Sequence, residues 1–176
     1  MGQLSSIDPL YYRARNLVAM ANAIAIDCEQ SEFLDNFEFT ELDDGDVKGH
    51  QEFHADWIYY VTIAIVFISS TYLMNQQVGS DRERRLTAIV AREFERWNAT
   101  AIETSKECGQ FFDRTYSGYS TLMRALGQER DALPYTVGAW VVQSMLGHLP
   151  RTAEEVRFAF TIGALATQGF HDWWSE

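Results

Sequence analysis

Two histidines, His50 and His54, stand four residues apart. On a helix that spacing puts both on one face, where paired imidazoles can begin a site for zinc or another transition metal. Such a site needs a further ligand. Asp27, Cys28, Cys108, His148 and His171 have the right chemistry and could be brought in by folding. The motif itself is weak. A helical metalloprotease needs glutamate directly after the first histidine, and Gln51 stands there instead. The Glu-x-x-His pattern of di-iron bundles is missing too. The competing reading is two half-buried histidines opening a helix, whose dipole favours the neutral ring.

The second concentration of chemistry is acidic. Residues 27–46 read DCEQSEFLDNFEFTELDDGD. They hold nine carboxylates (Asp27, Glu29, Glu32, Asp35, Glu38, Glu41, Asp43, Asp44 and Asp46) and no basic residue. The formal net charge is -11, so these nine leave only -2 for the rest of the chain. A catalytic carboxyl needs a private environment that moves its pKa, and a crowded acidic span does not supply one. Calcium is also a poor fit, because Lys48, Gly49 and His50 follow Asp46 where an EF-hand loop runs on to its terminal glutamate. The span suits docking better. Negative charge steers a basic partner in, and buried aromatics hold it. Glu32, Asp35, Glu38, Glu41, Asp43, Asp44 and Asp46, with Phe37 and Phe39, are therefore the expected contacts to a basic protein. The plain alternative is a solvated connection whose phenylalanines cover the chain's own core.

The last residues, GFHDWWSE, place Trp173 beside Trp174. Neighbours on a helix diverge by about 100°. One ring is expected to face the core and the other, Trp174, to offer a contact for a partner or for a two-fold homodimer.

Other chemistry is not apparent. No nucleophile elbow, phosphate-binding loop or dinucleotide fingerprint occurs. Strong negative charge repels phosphate backbones and argues against direct nucleic-acid binding. Cys28 and Cys108 are far apart and form no CxxC, which fits reduced thiols in a cytoplasmic protein. The N-terminus shows no secretory pattern. Its MGQLSS matches the myristoylation motif but has no polybasic neighbour to add the second signal that stable anchoring needs.

The elements that must position these residues read as helices. Three prolines and 11 glycines in 176 residues leave long uninterrupted periodic runs. The first helix is expected from Ser6 or Asp8, with Pro9 in its first turn, to about Gln30. A second runs from about 48 to 77. Its stretch Trp57 to Ser80 has no charge and is long enough to span a membrane. Tyr59, Thr62, Ser69 and Gln76 nevertheless fall along one side, as in a central helix of a bundle whose polar side meets solvent or polar groups. A third helix is expected from a Ser80/Glu83 capping box to about Phe112. Its face of Arg82, Arg85, Arg92, Glu93, Glu95 and Arg96 reads as solvated. The Asn98 glycosylation sequon falls inside this helical pattern. Ser117–Ser120 reads as a break, followed by a short helix that Gly127 stops. A fifth helix spans about Pro134 to His148, and a Thr152/Glu155 capping box opens a sixth.

The expectation is an all-α, single-domain bundle of about six helices over 1–176, with a central, largely buried helix at about 48–77. Its expected role is a non-catalytic acidic binding module of the inhibitor, immunity or adaptor kind. The alternatives are a metal-dependent helical enzyme or sensor using His50 and His54, and a membrane-attached protein with one span.

Overall fold

Pro9 lacks the N–H that a first helical turn leaves unbonded, and the chain begins its first helix there. A computed structural model describes residues 9–30, 47–75 and 81–175. Six helices follow in order: α1 Pro9–Gln30, α2 Val47–Asn75, α3 Asp81–Trp97, α4 Ala101–Ala125, α5 Ala132–Leu146 and α6 Ala153–Ser175. A single 3-10 turn, Glu129–Asp131, joins α4 to α5. The described residues contain no strand, and the fold is an all-α bundle.

The central helix is α2, which packs against each of the other five. Its aromatic residues show how. Trp57 is fully buried, donates its indole N–H to the Ala25 carbonyl of α1 at 2.9 Å and stacks on Phe158 of α6. Tyr60 meets Trp140 of α5 edge-on, Phe67 meets Phe112 of α4, and Tyr59 stacks on Trp97 of α3. Tyr72 lies against Phe170, so α2 and α6 run in the same direction. Val61, Ile63, Ala64, Ile65 and Ile68 between them are wholly inaccessible. The valine and the isoleucines among them each contribute about 1.5–3 kcal/mol when buried. Buried residues of all six helices join one apolar cluster. The stretch Glu52–Leu73 is long and apolar enough to cross a membrane.

The enclosure of α2 changes one expectation. Its polar side does not meet solvent: Thr62 and Ser69 are fully buried, and their hydroxyls have no hydrogen-bond partner. With helices on every side, no exposed face is left for them. Tyr59 keeps polar company, its hydroxyl 2.8 Å from that of Thr100 and 2.7 Å from that of Thr104. Gln76 lies outside the described residues.

Two helix boundaries also differ from expectation. The long third helix is two helices, because Asn98 ends α3. Its side-chain oxygen accepts hydrogen bonds from the Thr100 N–H at 3.0 Å and the Thr100 hydroxyl at 2.9 Å. Asn offers the backbone this local alternative to helical bonding. The sequon therefore sits in a turn. Conversely, Ser117–Ser120 does not break the chain: α4 runs through it to Ala125. Tyr116 and Tyr119 pack on the core there, and Tyr119 meets Tyr135 of α5 edge-on. Burial of this kind overrides poor local helix propensity.

The stops and starts further on follow local chemistry. Gly127 and Gly147 adopt φ of 71° and 74°, the left-handed conformation that glycine reaches without strain, and they close α4 and α5. The predicted capping box forms at α6: the Glu155 N–H donates to Thr152 Oγ1 at 3.1 Å, and Glu155 Oε2 accepts from the Thr152 N–H at 3.2 Å. α5 and α6 are antiparallel and touch backbone to backbone, Gly138 facing Ala159 and Gly163 facing Pro134. The box proposed for α3 falls on Ser80 and Glu83, whose side chains lie outside the described residues.

Candidate functional site

Most of the acidic span is the connection between α1 and α2. α1 reaches it at Gln30 and α2 leaves it at Val47. The buried Trp57–Ala25 hydrogen bond ties α1 to α2, five residues before Gln30 and ten residues after Val47. Glu32, Asp35, Phe37, Glu38, Phe39, Glu41, Asp43, Asp44 and Asp46 themselves lie outside the described residues. Asp27 is exposed on the last turn of α1, next to half-buried Cys28.

The histidine pair lies near the start of α2. The side chain of His50 is outside the described residues. His54 is half-buried with its ring edge-on to Phe53. The other possible ligands are dispersed. His171 is on the last turns of α6 beside Tyr72, 18 residues further along α2 than His54. That is about 27 Å of helix axis. His148 lies in the α5–α6 turn, its Nε2 3.8 Å from Glu155. Cys108 is buried in α4, and burial holds its thiol well above the ordinary value. Burial, and then the charge of Asp27, raise the Cys28 thiol as well. Both cysteines therefore resist forming the thiolate that a nucleophile or metal ligand requires. No disulfide joins them. Among the described residues no three His, Cys, Asp or Glu side chains converge as a metal set would.

The Glu155 carboxyl is tuned by the cap it completes. Burial would raise it, but the backbone N–H groups of Arg151 and Thr152 and the charges of His148 and Arg151 bring it below its ordinary value.

At the aromatic end, Trp173 is buried while Trp174 is 36% exposed. Trp174 is not idle. It stacks on Phe170, and the Arg13 guanidinium sits 4.8 Å from its ring centre and donates to its carbonyl at 2.9 Å. Trp173 returns a hydrogen bond from its indole N–H to the Arg13 carbonyl at 2.9 Å. Both rings thus fasten α1 to α6.

Part of the α3 face that the sequence reads as solvated borders a cleft with α1. Tyr11 of α1 and Arg85, Ala88, Ile89, Arg92, Glu93 and Arg96 of α3 line a surface cleft of about 490 Å³. Glu93 is buried although charged, and its carboxylate holds Arg96 at 2.5 Å. Arg96 donates in turn to the Tyr11 hydroxyl at 2.9 Å. The arginine spacings of seven and four residues were visible and mark one helix face. The approach of Tyr11 from α1 was not.

The chain matches no protein-family model, and comparison with curated proteins and with solved structures finds no similar protein.

Proposed function

We propose that this protein is an acidic binding module, of the inhibitor, immunity or adaptor kind, that engages a basic protein through residues 27–46. The observation that supports this reading is the concentration of nine carboxylates without one basic residue in residues 27–46, seven of them in the connection between α1 and α2. A span joined to a helix at each end loses less freedom on binding than a free tail does. Its field speeds encounter with a cationic surface, and Phe37 and Phe39 supply the apolar contact that charge alone does not.

The test compares the wild-type chain with a variant carrying Glu38→Gln, Glu41→Gln, Asp43→Asn, Asp44→Asn and Asp46→Asn. Both serve as bait in native lysate without detergent at low salt, and the captured protein is then purified. A basic protein held by the wild type and lost by the variant supports the reading. Its association rate should fall steeply from low to physiological salt. Equal capture by both baits, or an association rate indifferent to salt, overturns it.

A further inference from the structure

Asn98 follows the last residue of α3 and stands before Ala99 and Thr100, both exposed. Its side-chain oxygen takes two hydrogens, one from the Thr100 N–H and one from the Thr100 hydroxyl. The single hydrogen of that hydroxyl is thereby used. The Tyr59 hydroxyl, 2.8 Å away, must then donate to Thr100 and accept from Thr104 at 2.7 Å. Three hydroxyls form a chain that ends on Asn98 Oδ1, and each link polarises the next. Asn98 Nδ2 and the Ala99 N–H make no hydrogen bond.

We infer that Asn98 is a site of spontaneous deamidation, through a cyclic imide closed by the Ala99 nitrogen. Hydroxide removes the Ala99 amide proton, and the nitrogen bonds to Asn98 Cγ. The electron pair displaced from the side-chain carbonyl moves onto Oδ1, where two donors already point, as in an oxyanion hole. Collapse restores the C=O bond and breaks Cγ–Nδ2, and Nδ2 takes a proton from water and leaves as ammonia. Water then opens the imide at one carbonyl or the other, giving aspartate or isoaspartate. Asn22 is the internal contrast. It too precedes an alanine, but in the interior of α1, where the Ala23 N–H is held by the carbonyl four residues back. Aspartate at 98 keeps both donors and sets a negative charge at the start of α4, where the helix dipole favours it.

The full chain is incubated at mildly alkaline pH, native and in urea, and peptide mass spectrometry follows the conversion of each asparagine. In the native protein Asn98 should react at least about tenfold faster than Asn22, whose neighbouring N–H is freed only by local opening of α1. In urea the two share the same neighbour, and the ratio should fall towards unity. Thr100→Val removes the hydroxyl donor and keeps the backbone one. It should slow Asn98 by at least about tenfold, the worth of a hydrogen bond to a charged oxygen, with Asn22 and the thermal unfolding unchanged. Thr100→Ser keeps the hydroxyl and should react like the wild type. A ratio no larger in the native protein than in urea overturns the assignment. So does a Thr100→Val chain that loses its Asn98 amide as fast as the wild type.

Discussion

Glycine at 138 and glycine at 118 both lie inside helices, yet the same substitution should move stability in opposite directions. A methyl group at Gly138 would stand 1.9 Å from the Ala159 carbonyl oxygen, which is backbone and cannot rotate away. Ordinary contact begins near 3.4 Å, so α5 and α6 would have to part by up to 3.4 less 1.9, or 1.5 Å. A gap of even 0.5–1 Å forfeits about a quarter to a half of the dispersion energy across a packed face. Overpacking of this kind costs up to about 3 kcal/mol. Alanine returns about 1 kcal/mol through its better helix propensity. Gly138→Ala should therefore lose about 2 kcal/mol, and its melting temperature should fall by about 4–8 °C. At Gly118 nothing lies within 4 Å of the added methyl. Gly118→Ala keeps only the propensity gain and should melt about 2–4 °C higher. Thermal unfolding by far-UV circular dichroism reads both. A Gly138→Ala protein as stable as the wild type would refute the backbone contact between α5 and α6.

Thr62→Val keeps the shape and removes a buried, unbonded hydroxyl. It should raise stability by about 1 kcal/mol, and urea unfolding would show it; a loss would mean that the hydroxyl is satisfied. Glu155 has a folded-state pKa below its ordinary one. Its contribution is thus fully present above the unfolded pKa, about 4.3, and is lost as pH falls through the folded value. Wild type should melt above Glu155→Gln at pH 7, and the difference should shrink as the pH falls below the unfolded pKa. A constant difference would sink this account of the cap. Cys108, buried and poorly ionised, should escape iodoacetamide in the native protein at about pH 8 and react once unfolded. Peptide mass spectrometry distinguishes it from Cys28, and native labelling at Cys108 would contradict its burial.

Much of the fold could be read from single residues whose effect is local. Pro9 starts α1, Gly127 and Gly147 stop α4 and α5, and Thr152 with Glu155 opens α6. Each acts through its own backbone or that of a near neighbour. The misreadings came where the deciding partner was hidden or distant. Asn98 ends α3 by a side-chain turn that periodicity alone passes over. Ser117–Ser120 stays helical because Tyr119 reaches Tyr135 on another helix. The buried state of Thr62 and Ser69 depends on five neighbouring helices, and no window of sequence contains them. The cleft was half visible. Arg85, Arg92 and Arg96 declare a common face, but nothing near them in the chain announces Tyr11, 81 residues before Arg92, or the burial of Glu93 beneath Arg96.

The clasp between Arg13 and Trp174 joins residues 161 positions apart. A ribosome adding about 5–20 residues per second takes roughly 8–32 s to travel that distance. Throughout that interval the first helix is already made, while the surface that closes over its Arg13 turn has yet to be synthesised. α1 packs on α2 and α3 well before then, so only the patch around Arg13 waits uncovered until α6 is made. Order of synthesis and order of packing are opposed at this clasp, though not along the rest of α1.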